Sequence, residues 1–409
     1  MYKIISLFCF IFCSPFFAFA QFFSTPPALV PYLQTAPEVI SRSAVLIDAR
    51  TGALLYSKNP DAEICPASLT KLMTMHLAMR AIKEGKASFD ELIPITVESW
   101  AQSQPPHSSL MFLAPGQIVS LREILLGLAV ASGNDAAVAA ALRLAPSMEE
   151  FAKLMTAEAR SMGLSVTRFA ESSGISQENI TTAREFAAFC RRYLILYPTS
   201  LEDFHSVPVL SYPMAANVQE GGRNAPGTIT QDNRNVLLKS FPGVDGLKTG
   251  FIEESGYNIA LTAQREQTRF LLVILGAPSQ RGGAYIRDTD GANLLSWAFD
   301  NFKTVYPQIG KIENARLWKG REDTAEFVIF GSPEFTAPVS RASSLYFETS
   351  IPKRLIAPIP AGAPVGELVI SDEYGELRRL PLYAAKNYEK GNIFKRIWHS
   401  ICLIFSRKT

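Results

Sequence analysis

Histidine and cysteine are scarce in this chain, and their scarcity removes several classes of function. Four histidines, His76, His107, His205 and His399, stand singly in 409 residues, and the five cysteines form no Cys-x-x-Cys. With no His-Glu-x-x-His either, nothing gathers the clustered ligands of a zinc or iron site, so no metal and no other cofactor is expected. Cys9 and Cys13 fall in the apolar N-terminal stretch and Cys402 in the tail, leaving Cys65 and Cys190 in the body. That excludes a disulfide framework; one Cys65–Cys190 bridge stays open beside the reading of two ordinary buried thiols. An excess of either charge is also missing. Forty basic against thirty-eight acidic residues leave a formal charge of +2, which gives no footprint for nucleic acid. No internal repeat is visible, and a hydrophobic content of 47% supports a proper core rather than a disordered chain.

What is present divides the chain. Residues 1–20 read as a secretory signal, with Lys3, an apolar core from Ile4 to Phe17 and a small-x-small site at Ala18-Phe19-Ala20. An uncleaved anchor is the competing reading, but the apolar core is short for a membrane span. Residues 21–37 form a proline-rich leader, 38–303 a main domain, 304–385 a small β-rich domain and 386–409 a distinct tail. In the main domain, strands are expected at Ser43–Arg50 and Ala53–Ser57. Helices follow from Ser68 to Gly85 and over Leu121–Val130, Asp135–Leu144, Met148–Met162 and Thr182–Tyr197. A hairpin of buried strands, Gly256–Ala263 and Arg269–Gly276, and a helix over Tyr285–Phe302 complete it. Strands at both ends with helices between imply an α+β fold, an antiparallel sheet with a helical lobe.

In the tail, Ile393, Phe394, Ile397, Trp398, Ile401, Ile404 and Phe405 share one helical face, and Lys395, Arg396, His399 and Ser400 lie opposite. The run is too short and too charged to span a bilayer. It is expected to lie in a membrane surface through residues 387–409, with Lys395, Arg396, Arg407 and Lys408 toward anionic headgroups. The alternative is docking on the protein's own body or on a partner.

Chemistry enters at Ser68 and Lys71. Residues at i and i+3 share a helical face, so the lysine can reach the hydroxyl, and the start of a helix favours the oxyanion formed when serine attacks a carbonyl. Alone the pair means little, since Ser is a common N-cap and Ser-x-x-Lys arises by chance about once or twice in such a chain. Two further motifs follow in order, Ser132-Gly133-Asn134 and Lys248-Thr249-Gly250, each expected only about 0.1 times. The three together have a weak explanation as coincidence. Serine needs a base, and Lys71 serves only when neutral; a second ammonium at Lys248, with burial, lowers its pKa. Ser132 can relay a proton to a leaving nitrogen, Asn134 can donate and accept along a peptide, and the strand after Lys248 can hold substrate edge-on.

This set of motifs resembles the signature of class A β-lactamases and penicillin-binding proteins. With Ser-Gly-Asn in the middle, a signal, a β-rich second domain and an amphipathic tail, the chain is similar to the low-molecular-mass penicillin-binding proteins that are D-alanyl-D-alanine carboxypeptidases. The resemblance extends to flanking text: Pro66–Met73, Ser108–Leu113, Ser132–Ala136, Asp232–Asn235 and Val244–Gly250. It implies a β-lactamase/transpeptidase-like catalytic domain followed by a small all-β domain and a C-terminal amphipathic helix. It further implies a peptidoglycan stem peptide ending in D-Ala-D-Ala as substrate, β-lactams as covalent inhibitors, and a place on the periplasmic side of the inner membrane. The oxyanion hole is then made by the backbone N–H groups of Ser68 and Phe251. Thr249 and Lys248 are candidates for the terminal carboxylate, and Arg234 matches a family arginine, with an ordinary surface ion pair as its alternative. At Phe251 well-known members carry histidine, and the loop Gln102–His107 holds two prolines, so side-chain contacts there depart from the pattern.

Rival readings are a DD-endopeptidase of the same fold, a class A-like β-lactamase using Glu171 to activate water, and a non-enzymatic penicillin-binding scaffold. Glu171 sits in the text Thr167–Gly174, which resembles a carboxypeptidase segment where that residue is not catalytic. A scaffold has no need to keep Ser68, Lys71, Ser132 and Lys248 together.

Overall fold

The computed structural model describes residues 35–218, 227–309, 312, 314–342 and 344–405. The signal segment, most of the leader and the basic residues Arg407 and Lys408 lie outside the described residues. Two compact units form, one from Glu38–Ala263 with Leu271–Ala292, the other from Gln264–Phe270 with the chain from Asn293 on.

In the first unit, β1 (Ser43–Asp48) and β2 (Leu54–Lys58) pair antiparallel. They belong to a five-stranded sheet with β3 (Val244–Ile252), β4 (Gly256–Arg265) and β5 (Thr268–Ala277), in the order β2-β1-β5-β4-β3. β3 starts earlier than the strand expected after Lys248, at Val244. The Lys-Thr-Gly motif lies inside this strand, at the edge of the sheet, because β4 supplies a ladder partner that Gly246 and Gly250 hide from any propensity count.

The helical lobe consists of α1 (Lys71–Lys83), α2 (Leu121–Leu126), α3 (Asn134–Leu144), α4 (Met148–Ser161) and α5 (Ala183–Leu196). Helix α6 (Gly283–Asn301) follows the sheet. Three helices start on caps written in the sequence: the hydroxyls of Ser120, Ser147 and Thr182 accept from the backbone N–H of Glu123, Glu150 and Glu185. The apolar residues of α1 are buried as their spacing requires, with Leu72, Met73, Leu77 and Met79 all in the core. The helix expected over Leu121–Val130 breaks at Gly127 into one wide π turn, Gly127–Ala131. A side chain at Gly127 would put its Cβ 2.3 Å from Met111 Sδ. The turn delivers Ser132 in the left-handed region, φ 60°, and such wide turns recur at functional sites. Cys65 and Cys190 are both free thiols; Cys190 is buried, but Cys65 is only partly so and donates to the Gln177 carbonyl at 2.9 Å.

In the second unit, β6 (Ala315–Trp318) runs parallel to Leu355–Ile356. A separate sheet orders β7 (Phe327–Val328), β10 (Gly375–Ala384), β9 (Pro364–Asp372) and β8 (Tyr346–Ser350) around their own core of Leu368, Ile370, Leu380 and Leu382. The tail forms α7 (Ile393–Phe405), whose seven large apolar side chains named above are all exposed. Its polar side packs on the unit instead. His399 is buried, accepts through Nδ1 from the Lys319 N–H at 2.8 Å and meets the Trp318 ring edge-on. Lys395, expected to point at headgroups, pairs with Asp323 at 2.9 Å and donates to the Arg321 carbonyl at 3.0 Å. The reason is geometric: the apolar stripe and the docking stripe are opposite faces of one helix, and the second is polar because the surface it meets offers a backbone donor, a carbonyl and a carboxylate. Among the described residues, no helix is long and apolar enough to cross a membrane.

Candidate active site

Ser68 lies on a single 3-10 turn, Ala67–Thr70, that leads directly into α1. Two glycines close on its backbone from different segments. A Cβ on Gly174 would sit 1.8 Å from the Ala67 carbonyl oxygen, and one on Gly250 would sit 2.9 Å from the Ser68 nitrogen. Gly250 therefore lets the edge strand β3 approach the Ser68 N–H. Ala67 itself takes φ 50°, so both serines of the site are set by left-handed backbone, at Ala67 and at Ser132.

Lys71 is fully buried, and its amine has three partners: Ser68 Oγ at 2.9 Å, Asn134 Oδ1 at 2.8 Å and the Ser173 carbonyl at 2.6 Å. Two of these are obligate acceptors. A neutral amine has two hydrogens and one lone pair, so donation to Asn134 and Ser173 leaves the lone pair facing the Ser68 hydroxyl. Burial is the main reason the amine is neutral within reach of physiological pH. It lowers the pKa to about 7, against the opposing pull of Glu171 and Asp135. Lys248 is also buried, donating to Ser132 Oγ and the Thr249 carbonyl, both at 2.9 Å. Its pKa lies well below the ordinary lysine value because of burial, then of the like charges of Lys71, Arg234 and Arg287. The like charge expected between the two lysines is thus present, with burial as the larger cause.

Asn134 does something other than wait for a peptide. With Oδ1 on Lys71 and Nδ2 on Ser108 Oγ at 3.1 Å, it orients the Lys71 amine and ties it to the loop of Ser108. Asp135 fixes that loop, accepting from the N–H groups of Met111, Phe112 and Leu113 at 2.8 to 3.0 Å. Glu171 is likewise committed to its own loop, taking the N–H groups of Ser173 and Gly174 and the amide of Asn179 at 2.5 to 2.7 Å. This is the loop whose Ser173 carbonyl holds Lys71, so Glu171 shapes the site without being placed as a water-activating base.

Arg234 is exposed, and the asparagines on either side of it are buried anchors. Asn233 donates to the carbonyls of His205 and Val207, and Asn235 to that of Gly246, just ahead of Lys248. The guanidinium is presented to a cleft of about 720 Å³ that it shares with Ser68, Ser132, Asn134, Thr249 and Phe251. Pro106 and His107 of the two-proline loop line the same cleft, His107 with φ 64°. Sequence reasoning brought together Ser68, Lys71, Ser132, Asn134, Lys248 and the Thr249–Phe251 stretch, and it missed the part played by Ser173, Glu171, Asp135 and Ser108. Those positions were visible only as stretches of familiar text, since a backbone carbonyl acting as an acceptor has no side-chain signature.

A serine with a neutral buried lysine, a second serine–lysine pair beside it and a sheet edge leading past both defines a serine acyl-transfer hydrolase. The family profile described as D-alanyl-D-alanine carboxypeptidase matches residues 31–279, and that of the penicillin-binding protein 5 C-terminal domain matches residues 302–390. The chain belongs to the D-alanyl-D-alanine carboxypeptidase family of serine peptidases. The carboxypeptidase DacC of Escherichia coli is 31% identical over 377 residues, 90% of either chain. Penicillin-binding protein 5 of Haemophilus influenzae superposes with a TM-score of 0.75 at 27% identity, covering 87% of this chain and 100% of that one. Penicillin-binding protein D2 of Listeria monocytogenes, solved in a cefotaxime-bound form, gives a TM-score of 0.55 at 26% identity and covers 65% of this chain and 100% of its own.

Proposed function

We propose that this enzyme removes the C-terminal D-alanine from peptidoglycan stem pentapeptides through an acyl-enzyme on Ser68, and that penicillins acylate the same oxygen. The observation that carries the reading is the Lys71 amine, whose two fixed acceptors leave its lone pair for Ser68. The Ser68 proton passes to Lys71 as Oγ bonds to the penultimate D-alanine carbonyl, and the resulting oxyanion is met by the N–H groups of Ser68 and Phe251. As the C–N bond breaks, the proton taken up by Lys71 is passed through Ser132, hydrogen-bonded to Lys248, to the leaving nitrogen, which leaves Lys71 neutral again. Thr249 and Arg234 take the terminal carboxylate. Water then attacks the ester, Lys71 accepts its proton and returns it to Ser68 Oγ as the ester C–O bond breaks, and Ser68 is regenerated. The match to a penicillin-binding protein 5 C-terminal domain favours the carboxypeptidase over the endopeptidase.

The enzyme works on the periplasmic side of the inner membrane, on whose surface α7 lies apolar face down. Support comes from the exposure of Phe394, Trp398 and Phe405 at 80%, 64% and 75% on a helix whose opposite side is already docked. Removing residues 387–409 should release the protein from vesicles containing anionic lipid; retained binding would count against the anchor. The test of the chemistry is D-alanine release from a peptide ending in D-Ala-D-Ala, by the enzyme and by Ser68→Ala. Release by the first alone supports the assignment, and release by neither, with Ser68 still labelled by penicillin, shifts it to the endopeptidase or scaffold.

A further inference from the structure

Past Ser68, β3 carries a feature that acyl transfer does not require. Thr249 and Phe251 are two residues apart on a strand, share a face, and both line the cleft. Phe251 stands directly across the ladder from Tyr257, and their rings stack with centroids 4.3 Å apart and planes inclined by 31°. Behind Tyr257 lies the buried Arg287 guanidinium, 5.9 Å from the ring centre and held by Asp288. One side of the stack is therefore backed by protein, while Phe251 keeps 42% of its surface exposed. A large ring already immobilised by a partner loses little freedom when a ligand covers it, so its burial converts efficiently into affinity.

Resting on the function proposed above, we infer that the Phe251–Tyr257 stack is a specificity shelf for the side chain of the residue that precedes D-Ala-D-Ala. It favours a long aliphatic stem or an aryl group there. The strand direction places it: the terminal carboxylate is at Thr249 and Arg234, the scissile carbonyl beside Gly250 and Ser68, and the chain before the scissile bond runs on past Phe251. That residue is one position before the one whose carbonyl reacts, so at about 3.3 Å per residue it lies one strand step beyond Gly250, level with Phe251. The cleft offers it an apolar wall, whereas hydrogen bonds to the strand edge serve any residue alike.

The test is a ratio of kcat/KM values, measured with the full chain, for D-alanine release from acetylated Lys(Nε-acetyl)-D-Ala-D-Ala and from the peptide with glycine in place of that lysine. The native enzyme should prefer the lysine peptide, Phe251→Ala should cut the preference about tenfold, and Tyr257→Phe should keep it. A purely structural loss lowers both substrates equally, so an unchanged ratio in Phe251→Ala overturns the shelf. Tyr257→Ala, which removes the backing ring, reads the same ratio if Phe251→Ala is too unstable to assay. Acylation of Ser68 by benzylpenicillin against 6-aminopenicillanic acid, which lacks the aryl group, gives a second readout. If the native enzyme releases D-alanine from neither peptide, the carboxypeptidase reading fails, and the penicillin ratio still decides the shelf.

Discussion

In the Ser68 cleft two lysines are buried and the groups around them are polar and mutually bonded, whereas along α7 a row of isoleucine, phenylalanine and tryptophan side chains faces outward and a histidine is buried. Both regions reverse the usual sorting of residues, and for different reasons. Burying Lys71 costs stability and makes an amine reactive near neutral pH; exposing the α7 stripe leaves a surface that only an apolar phase or partner satisfies. The first is destroyed by moving one atom, while the second is spread over many side chains and fails gradually.

Substitutions should display that contrast. Lys71→Ala removes the base and should lower Ser68 acylation by about 10³-fold or more, measured as the rate of penicillin labelling. Gly250→Ala should come next. Its added Cβ comes within 2.9 Å of the Ser68 nitrogen and of the Pro66 carbonyl oxygen, so backbone beside Ser68 has to shift; misplacing reacting groups by about 1 Å costs about 10²-fold in acylation, a loss that a similarly small change on α7 would not cause. Phe394→Glu with Trp398→Glu should weaken binding to anionic vesicles by about tenfold or more while D-alanine release from soluble peptides stays unchanged. If release falls with binding, the two regions are coupled and the contrast breaks. His399→Ala is the mildest. It removes one acceptor and a ring contact, which should destabilise the second unit by about 1–2 kcal/mol in denaturant unfolding and leave acylation untouched.

The two regions also differ in how far the amino-acid sequence alone makes them legible. Ser68 and Lys71 are legible because i and i+3 share a helix face, and Ser132 and Lys248 because their tripeptides are rare. The α7 stripe is legible because its period is 3.6. What stayed hidden depends on partners distant in sequence. Lys71 owes its free lone pair to a carbonyl 102 residues away. β3 extends back to Val244 because β4 pairs with it, despite two internal glycines, and the π turn at Gly127 brings Met111 to where a Cβ would be. On α7 the amphipathic pattern was plain, but that Lys395 and His399 face protein rather than headgroups depended on Lys319, Arg321 and Asp323, which pattern analysis does not connect to the tail.

The pH dependence of Ser68 acylation by a penicillin under single-turnover conditions tests the account most directly, because the neutral form of Lys71 is the reactive one. With its pKa lowered to about 7 by burial, the rate should climb as pH rises through about 7 and level off above it. A rate that keeps rising toward the ordinary lysine value near 10.5, or one that does not change between pH 5 and 9, would contradict a buried neutral lysine as the base.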